Sequence, residues 1–288
     1  MSSHGFTGRT AILATMHCKE EAIAPLLTSA FALEIVVPSG FDTDRFGTFT
    51  RDVKRPADQL ATARLKAMHA LESLGADLGA DLAIASEGSF GPHPLMPYVP
   101  LNRELVLLVD RQHGLEIAGH AATPDTNYSH RQVDSLEAAL EFARSVGFPS
   151  HGLVVMPAAE GSDPTEIHKG ITQDEQLREI VAATLKRHGR AHLETDMRAM
   201  MNPTRMKAIA LATQDLIRKL QQTCPQCHAP GFDVGDRQPG LPCALCHAPT
   251  DLTLAAIYHC AQCGFTQTVR YPDGREFADP AQCAYCNP

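Results

Sequence analysis

Eight of the nine cysteines stand in four Cys-x-x-Cys pairs between positions 224 and 286 of the 288-residue chain. Two thiolates two residues apart can bind one metal ion from a tight turn, and a second such pair completes a tetrahedron. Fifteen residues separate the first pair from the second, and nineteen separate the third from the fourth. These gaps are typical of four-cysteine zinc sites, so the sequence predicts two structural zinc ions.

The order of the four pairs does not by itself decide which pairs share a metal ion. We expect neighbouring pairs to combine, and an interleaved pairing (first with third, second with fourth) is the alternative. The segment from Phe265 to Gly274 alternates in polarity and ends in Asp-Gly, which predicts a hairpin between the last two pairs. The predicted ligand sets are Cys224, Cys227, Cys243 and Cys246 for one zinc ion, and Cys260, Cys263, Cys283 and Cys286 for the other.

Two other uses of these cysteines were weighed against zinc. His228 and His247 complete the Cys-x-x-Cys-His pattern of covalent haem attachment, but Gly264 and Asn287 follow the other two pairs. A thioredoxin-like redox pair needs a strand-to-helix context, whereas these pairs lie among Pro, Gly and Asp. Structural zinc is therefore the favoured interpretation. The ninth cysteine, Cys18, is expected to be a small packing residue rather than a nucleophile.

Composition and charge exclude several classes of protein. The chain is 44% hydrophobic and 20% charged, which is typical of a globular protein, and it has no apolar run of about 18 residues. No secretory pattern opens the sequence, so we expect a cytoplasmic protein without a membrane partner. Residues 221–288 carry three arginines, no lysine and six carboxylates. Each four-thiolate zinc site adds a charge of about −2, so the tail is negatively charged and is not expected to bind nucleic acid. We expect it to stabilise the fold or to dock a protein partner.

The cysteine-poor part of the chain alternates short apolar runs with amphipathic segments. This pattern predicts an α/β domain with a mixed sheet over residues 1–220, followed by a small double zinc-ribbon domain over residues 221–288. The predicted strands are 9–15, 33–37, 82–86, 104–109, 115–118, 152–156 and 190–195, and the predicted helices are 20–30, 59–74, 133–146, 172–188 and a last one from 202.

Three polar segments follow predicted strands, where α/β sheets place their ligands. Thr15–Glu20 forms a strand-to-helix turn in which Lys19 could bind an anion, with an ordinary capped turn as the alternative. Ser86–Pro94 contains Glu87, a candidate Mg²⁺ ligand or general base, with a solvated loop as the alternative. Glu194–Met206 combines carboxylates with arginines. It suits either a metal-bridged phosphate site or the salt-bridged start of a helix.

Several stretches carry a resemblance to known families. They are Ala14–His17, Phe46–Arg51, Ser86–Pro94, Glu194–Met206 and Cys286–Pro288. On these residues the chain resembles, over nearly its full length, members of a bacterial family with a C-terminal double zinc ribbon and no assigned function. That resemblance implies the zinc-ribbon architecture and no particular activity.

The first 120 residues or so also resemble the house-cleaning nucleoside-triphosphate pyrophosphatases of the inosine-triphosphatase and Maf type. The matching residues are Ala14, Thr15 and Lys19 in the opening strand and turn, Ala63-Arg64-Leu65-Lys66-Ala67 in a helix, and Glu87 at the position of the metal-binding acid. Met16-His17 stands where Gly-Asn is usual, and the Asp-Asp-Ser-Gly motif is absent. The resemblance implies an inosine-triphosphatase-like fold and hydrolysis of nucleotides.

These features predict a metal-dependent hydrolase acting on a phosphorylated small molecule, such as a nucleotide. The expected catalytic residues are Glu87, Glu194, Asp196 and Lys19, with Mg²⁺ bound by Glu87 and Asp196 and a metal-bound water as nucleophile. The expected ligand-binding residues are Thr15, Lys66, Ser86, Ser89, Arg198, Asn202 and Arg205. The alternative is a non-catalytic ligand-binding or adapter protein whose zinc ribbons dock a protein partner.

Overall fold

The computed structural model describes residues 5–46, 58–158 and 163–288. These residues form two compact units, Gly5–Ile217 and Arg218–Pro288. No helix in these ranges is long and apolar enough to cross a membrane. Positions 47–51 of the Phe46–Arg51 stretch lie outside the described residues.

A five-stranded mixed sheet forms the first part of the α/β unit. Its strands, in spatial order, are β2 (Glu34–Val36), β1 (Thr10–Ala14), β3 (Leu82–Pro92), β4 (Pro100–Asp110) and β5 (Leu115–Thr123). The first three strands are parallel, and β4 and β5 continue the sheet as antiparallel strands. Helix α1 (Glu20–Phe31) links β1 to β2, and α2 (Gln59–Leu78) links β2 to β3. Because the chain leaves β1 to one side and returns on its other side, the carboxyl end of β1 is a switch point of the sheet.

Small residues bring α2 close to this sheet. Ala63 and Ala67 of the helix pack in one core cluster with Ala83 and Ala85 of β3. The sequence predicted that α2 would stop at Gly75, but the helix continues to Leu78. Gly75 serves packing instead, because a Cβ there would lie 2.9 Å from a backbone oxygen, that of Ala80. Gly79, with φ of 60°, is the left-handed residue that ends the helix.

A second, antiparallel sheet follows in the same unit, where the sequence predicted one mixed sheet. Its strands, in spatial order, are β6 (His130–Val133), β9 (Ala191–Thr195), β7 (Leu153–Pro157) and β8 (His168–Ile171). Residues of α3 (Leu136–Ser145) and α4 (Asp174–His188) share its core cluster. Strands β6 and β8 were not predicted, because four mostly polar residues give no periodic signal.

The last helix, α5 (Pro203–Gln221), begins as its sequence predicted. The side-chain oxygen of Asn202 accepts the backbone N–H of Arg205 at 2.9 Å, and proline occupies the first helical position. The helix approaches β5 most closely at Gly119, where a Cβ would lie 2.2 Å from the backbone oxygen of Ala212. Glycine at this position therefore sets how closely α5 packs.

The Arg218–Pro288 unit contains a three-stranded antiparallel meander. Its strands are β10 (Asp233–Pro239), β11 (Thr253–His259) and β12 (Thr266–Arg270), in that spatial order. The predicted hairpin within Phe265–Gly274 is wrong, because β12 pairs with the preceding strand β11. Asp273-Gly274 belongs to a separate turn, in which the N–H of Gly274 bonds the carbonyl of Tyr271.

Candidate functional site

Two four-cysteine groups stand in the Arg218–Pro288 unit, and their pairing is interleaved. One group consists of Cys224, Cys227, Cys260 and Cys263, and the other of Cys243, Cys246, Cys283 and Cys286. The expected pairing of neighbours is therefore wrong, and the first Cys-x-x-Cys pair combines with the third. All eight thiols are free of disulfides.

The strands between the cysteine pairs explain this arrangement. A strand of seven residues, such as β10 or β11, spans about 20 Å. Each such strand carries the chain from one end of the meander to the other. The second cysteine pair, which follows β10, therefore lies at the opposite end from the first. Strand β11 then returns the chain to the first end, where the third pair lies. Only pairs separated by a complete hairpin return to the same end. Recognising residues 233–239 as a strand would have predicted the interleaved order.

The sulfur positions fit a tetrahedral metal ion. The Sγ–Sγ distance is 3.7 Å between Cys224 and Cys263 and 3.8 Å between Cys243 and Cys286. Four thiolates at the usual zinc–sulfur distance of about 2.3 Å would stand about 3.8 Å apart. The backbone N–H of Leu245 also donates to Sγ of Cys243, a contact that favours the thiolate form that binds zinc.

The histidines that suggested haem attachment have a conformational role. His228 and His247 adopt φ near 60°, and each donates its backbone N–H to the carbonyl of the first cysteine in its pair. Gly264 makes the same turn after the third pair, with φ of 73°. The two histidines therefore occupy the turning position of a metal-binding knuckle. Both groups are consistent with zinc ribbons.

A second candidate site lies in the α/β unit, at the switch point of the first sheet. Strand β1 ends where Ala14 pairs with Ala85, while β3 continues for seven further residues. Ser86 is the first residue of β3 beyond the end of β1, and Glu87 follows it. Successive residues of a strand point to opposite faces, so the two side chains lie on different sides of the sheet.

Glu87 lies on the face covered by α2, where its carboxylate pairs with the ammonium group of Lys66. Both side chains are buried. The sequence selected these two residues from separate segments, and the fold brings them into contact. The predicted strand 82–86 is too short, because β3 extends to Pro92 and Glu87 lies within the strand.

Arg205 enters the opposite face of the sheet from the first turn of α5. Its Nε donates to Oε1 of Glu104 at 2.8 Å, and the guanidinium lies 5.3 Å from the ring centre of Phe90. Glu104 pairs across the strands with Gly88. A Cβ on Gly88 would stand 2.5 Å from both the Nη2 of Arg205 and the Oε1 of Glu104. Glycine is needed there because the buried ion pair occupies the space.

Lys19 extends from the turn after β1 to Ser86 of β3. Its side chain is buried, with 8% of the residue exposed, and its ammonium donates to the hydroxyl of Ser86 at 3.1 Å and to the carbonyl of Ser86 at 3.3 Å. Burial lowers its pKa most, and the charges of Arg205 and Lys66 lower it as well, whereas Glu87 and Glu104 raise it. The net result is a pKa of about 7. We call Lys19, Lys66, Glu87, Glu104 and Arg205 the cationic cluster.

The turn that delivers Lys19 has an unusual backbone. His17 and Cys18 both have positive φ, 66° and 60°, although neither is glycine. Such residues cost on the order of 1 kcal/mol each and concentrate at functional sites. Cys18 therefore has a conformational role in this turn, and burial raises the pKa of its thiol.

Other predicted residues lie in separate contacts. Asp196 accepts from the Nη2 of Arg198 at 2.6 Å and from the backbone N–H of Gly170 at 3.0 Å. An oxygen of Glu194 lies 2.9 Å from Nε2 of His192. These contacts belong to the second sheet and its connections, and they correspond to the salt-bridged alternative for this segment.

The predicted magnesium site does not assemble from these carboxylates. Within the described ranges, the cysteine groups are the sole sets of three or more His, Cys, Asp or Glu side chains close enough to share an ion. Glu87 is paired with Lys66, and Asp196 with Arg198. Since Mg²⁺ requires several oxygen ligands at short distances, the described residues do not fit a resident magnesium ion.

Three further predicted ligand-binding residues make local contacts. The hydroxyl of Thr15 donates to the carbonyl of Met16, and Asn202 caps α5. Ser89 lies in β3 opposite Arg103 and is partly buried. Of the predicted residues, Lys19, Lys66, Ser86, Glu87 and Arg205 are the ones that the fold brings together.

Two buried polar residues of β4 were missed. Glu104 was assigned only to the start of a strand, yet it is the partner of Arg205. Asn102 is fully buried, and neither polar atom of its side chain has a hydrogen-bond partner among the described residues. Extending the hairpin about the Pro94–Pro97 tip would have placed Glu104 opposite Gly88 and Asn102 opposite Phe90.

Comparison with known proteins identifies one family. The profile described as "Domain of unknown function (DUF6671)" matches residues 66–288. The matched range contains both four-cysteine groups and every member of the cationic cluster except Lys19. Neither the search of curated proteins nor the search of solved structures found a match.

Proposed function

We propose that this chain, which belongs to the DUF6671 family, binds a phosphorylated small molecule at the cationic cluster and hydrolyses it. The observation that carries the proposal is that the buried Lys19 lies within the electrostatic influence of two other buried cations, Lys66 and Arg205, which come from separate elements. Lys19 follows β1, Lys66 lies in α2 and Arg205 lies in α5. They gather where an α/β sheet of this topology binds its ligands.

The charge of the cluster favours an anion. Two carboxylates, Glu87 and Glu104, balance Lys66 and Arg205, while Lys19 hydrogen-bonds to the neutral groups of Ser86. Charges withdrawn from water interact more strongly than exposed ones, so an anion that contacts the buried ammonium of Lys19 gains a strong, charge-assisted contact. A phosphoryl group supplies both the charge and several acceptor oxygens.

Support for hydrolysis comes from the resemblance to nucleoside-triphosphate pyrophosphatases. Lys19, Lys66 and Glu87 occupy the positions that match that family, and Glu87 does contact Lys66. Nucleotides are accordingly the first compounds to test. In the Arg218–Pro288 unit, we propose that each four-cysteine group binds one zinc ion with a structural role.

The hydrolase proposal is tested with a panel of phosphorylated compounds. The full chain is incubated with nucleoside mono-, di- and triphosphates and sugar phosphates, with Mg²⁺ or Mn²⁺, and release of phosphate and pyrophosphate is measured. We expect activity on one class, and at least about a hundredfold loss in Glu87→Gln, because an amide cannot replace the carboxylate as a general base. Silence of both proteins on every compound, at concentrations that saturate binding, contradicts hydrolysis and leaves ligand binding as the function.

A docking role for the zinc-ribbon unit is the second candidate. Leu245 and Tyr285 lie between the cysteines of their knuckles and are 70% and 78% exposed. Phe277, which packs against His247 of the same group, is 48% exposed. Exposed apolar side chains grouped in this way favour a protein partner. A partner captured by wild type should be lost in Leu245→Ser/Tyr285→Ser, while both proteins retain equal zinc.

A further inference from the structure

We propose that Lys19 is the residue of the cationic cluster that recognises the ligand's anionic group, and that binding of the anion shifts Lys19 into its protonated form. This inference rests on the proposed anion site and adds to it the specificity-determining residue and the regulation of binding by pH. Lys66 and Arg205 then act as positioning residues, because their charges hold Glu87 and Glu104 in place.

The contacts of the three cations separate their roles. Arg205 donates to Glu104 and to the backbone carbonyl of Met197, and it stacks on Phe90. The ammonium group of Lys66 forms an ion pair with the carboxylate of Glu87. The ammonium of Lys19 donates to Ser86, whose hydroxyl and carbonyl are both neutral. A ligand oxygen carrying negative charge is a stronger acceptor than either, so it can replace the hydroxyl at Lys19.

The charges that act on Lys19 come from four different elements. Glu87 of β3 and Glu104 of β4 favour its protonated form, whereas Lys66 of α2 and Arg205 of α5 oppose it. Burial has the largest effect and lowers the pKa of Lys19, which is about 7. In the free protein near neutral pH, about half of the molecules therefore carry a neutral amine at this position.

An anion reverses that balance. Its charge stabilises the ammonium form, so a proton moves from solvent to the Lys19 nitrogen as the anion binds, and an N–H bond forms there. Above pH 7 the free protein has lost this proton, and its uptake must accompany binding. The affinity should therefore fall as pH rises, approaching tenfold for each pH unit well above the pKa of the free protein.

Sulfate is a suitable probe, because it is a tetrahedral dianion whose own charge stays constant from about pH 6 to about pH 9. Its binding to the full-length zinc-loaded protein is measured by calorimetry across that range, in pairs of buffers with different ionisation enthalpies. Lys19→Arg keeps the charge without titrating in this range. Lys19→Met removes the charge and retains the apolar stem. Lys186→Met, at an exposed position of α4, is the matched control.

We expect the wild type and Lys186→Met to bind with proton uptake and an affinity that falls above about pH 7. Lys19→Arg should bind with nearly constant affinity, and Lys19→Met should bind at least tenfold more weakly at pH 6.5, with circular dichroism confirming that each variant is folded. Equal pH dependence in wild type and Lys19→Arg, or unchanged affinity in Lys19→Met, overturns this inference alone. Absence of sulfate binding by wild type at every pH overturns the anion site itself.

Discussion

Arg205 and Glu104 form an ion pair with 2.8 Å between Nε and Oε1, and both side chains are almost completely withdrawn from solvent. The pair joins the first turn of α5 to β4, beside the strand that carries Ser86 and Glu87. It thereby links the last helix of the α/β unit to the sheet that forms the candidate site. Removing either partner would leave a buried charge without compensation.

Arg205→Met should destabilise the protein by about 3–5 kcal/mol, because it leaves the carboxylate of Glu104 buried without its partner. The double variant Glu104→Leu/Arg205→Met removes both charges and should recover much of this loss. The measurement is urea denaturation of the three proteins at pH 7, monitored by circular dichroism. A double variant less stable than Arg205→Met would show that the charges are not coupled in this way.

Gly88→Ala should destabilise the fold by about 1–3 kcal/mol, since the added methyl group would stand 2.5 Å from Arg205 and Glu104. Gly91→Ala is a matched control on the same strand, because no atom of the described residues, apart from its chain neighbours, lies within 4 Å of its added Cβ. Thermal unfolding should therefore separate the two variants clearly. Equal melting temperatures would contradict the close approach of the ion pair to β3.

Cys224→Ser/Cys260→Ser should bind one zinc ion per chain where the wild type binds two, because both substitutions fall in the same four-cysteine group. If neighbouring pairs shared an ion, these substitutions would damage both sites. Metal analysis by mass spectrometry after gel filtration distinguishes the two outcomes. Cys224→Ser/Cys243→Ser, with one substitution in each group, serves as the comparison and should lose both ions.

Lys19→Met should be more stable than wild type at pH 7, by up to about 5 kcal/mol. The pKa of Lys19 is lowered to about 7 in the folded protein, whereas the unfolded chain keeps the ordinary value near 10.5. Between these values the unfolded state binds more protons, so the wild type is destabilised as pH falls from about 10.5 to about 7. The difference between the proteins should shrink as pH rises toward 10. A difference that is constant from pH 7 to pH 10 in denaturant titrations would be inconsistent with a titrating Lys19.

Local patterns in the sequence predicted much of the α/β unit. The apolar runs of β1, β2, β7 and β9 and the periodic segments of α1, α4 and α5 fall within a few residues of the predicted ranges. Apart from β2, whose residues are only partly buried or exposed, these elements bury apolar residues on one face, and periodicity detects such a face. Asn202 followed by Pro203 predicted the start of α5, because helix capping depends only on residues that are neighbours in the sequence.

Features that depend on pairing between residues far apart in the sequence could not be predicted from local sequence patterns. Strand β3 continues through Glu87 and Gly88 because β4 supplies hydrogen-bonding partners along its whole length, although the Gly- and Pro-rich sequence is typical of a loop. The interleaving of the cysteine pairs follows from the lengths of β10 and β11. Arg205 was chosen for a phosphate, yet its partner is Glu104, 101 residues earlier in the chain. Only the register of the sheet reveals that pair.

Binding of an anion by the cationic cluster at Lys19 can be observed directly in a crystal. The most direct measurement is an anomalous difference map from crystals of the full chain soaked in sodium tungstate, a heavy tetrahedral oxyanion that imitates phosphate. We expect a tungstate peak within about 4 Å of the Lys19 Nζ atom, beside Ser86, and its loss in Lys19→Met. Tungstate bound only at other positions, with density at Lys19 unchanged, would contradict it.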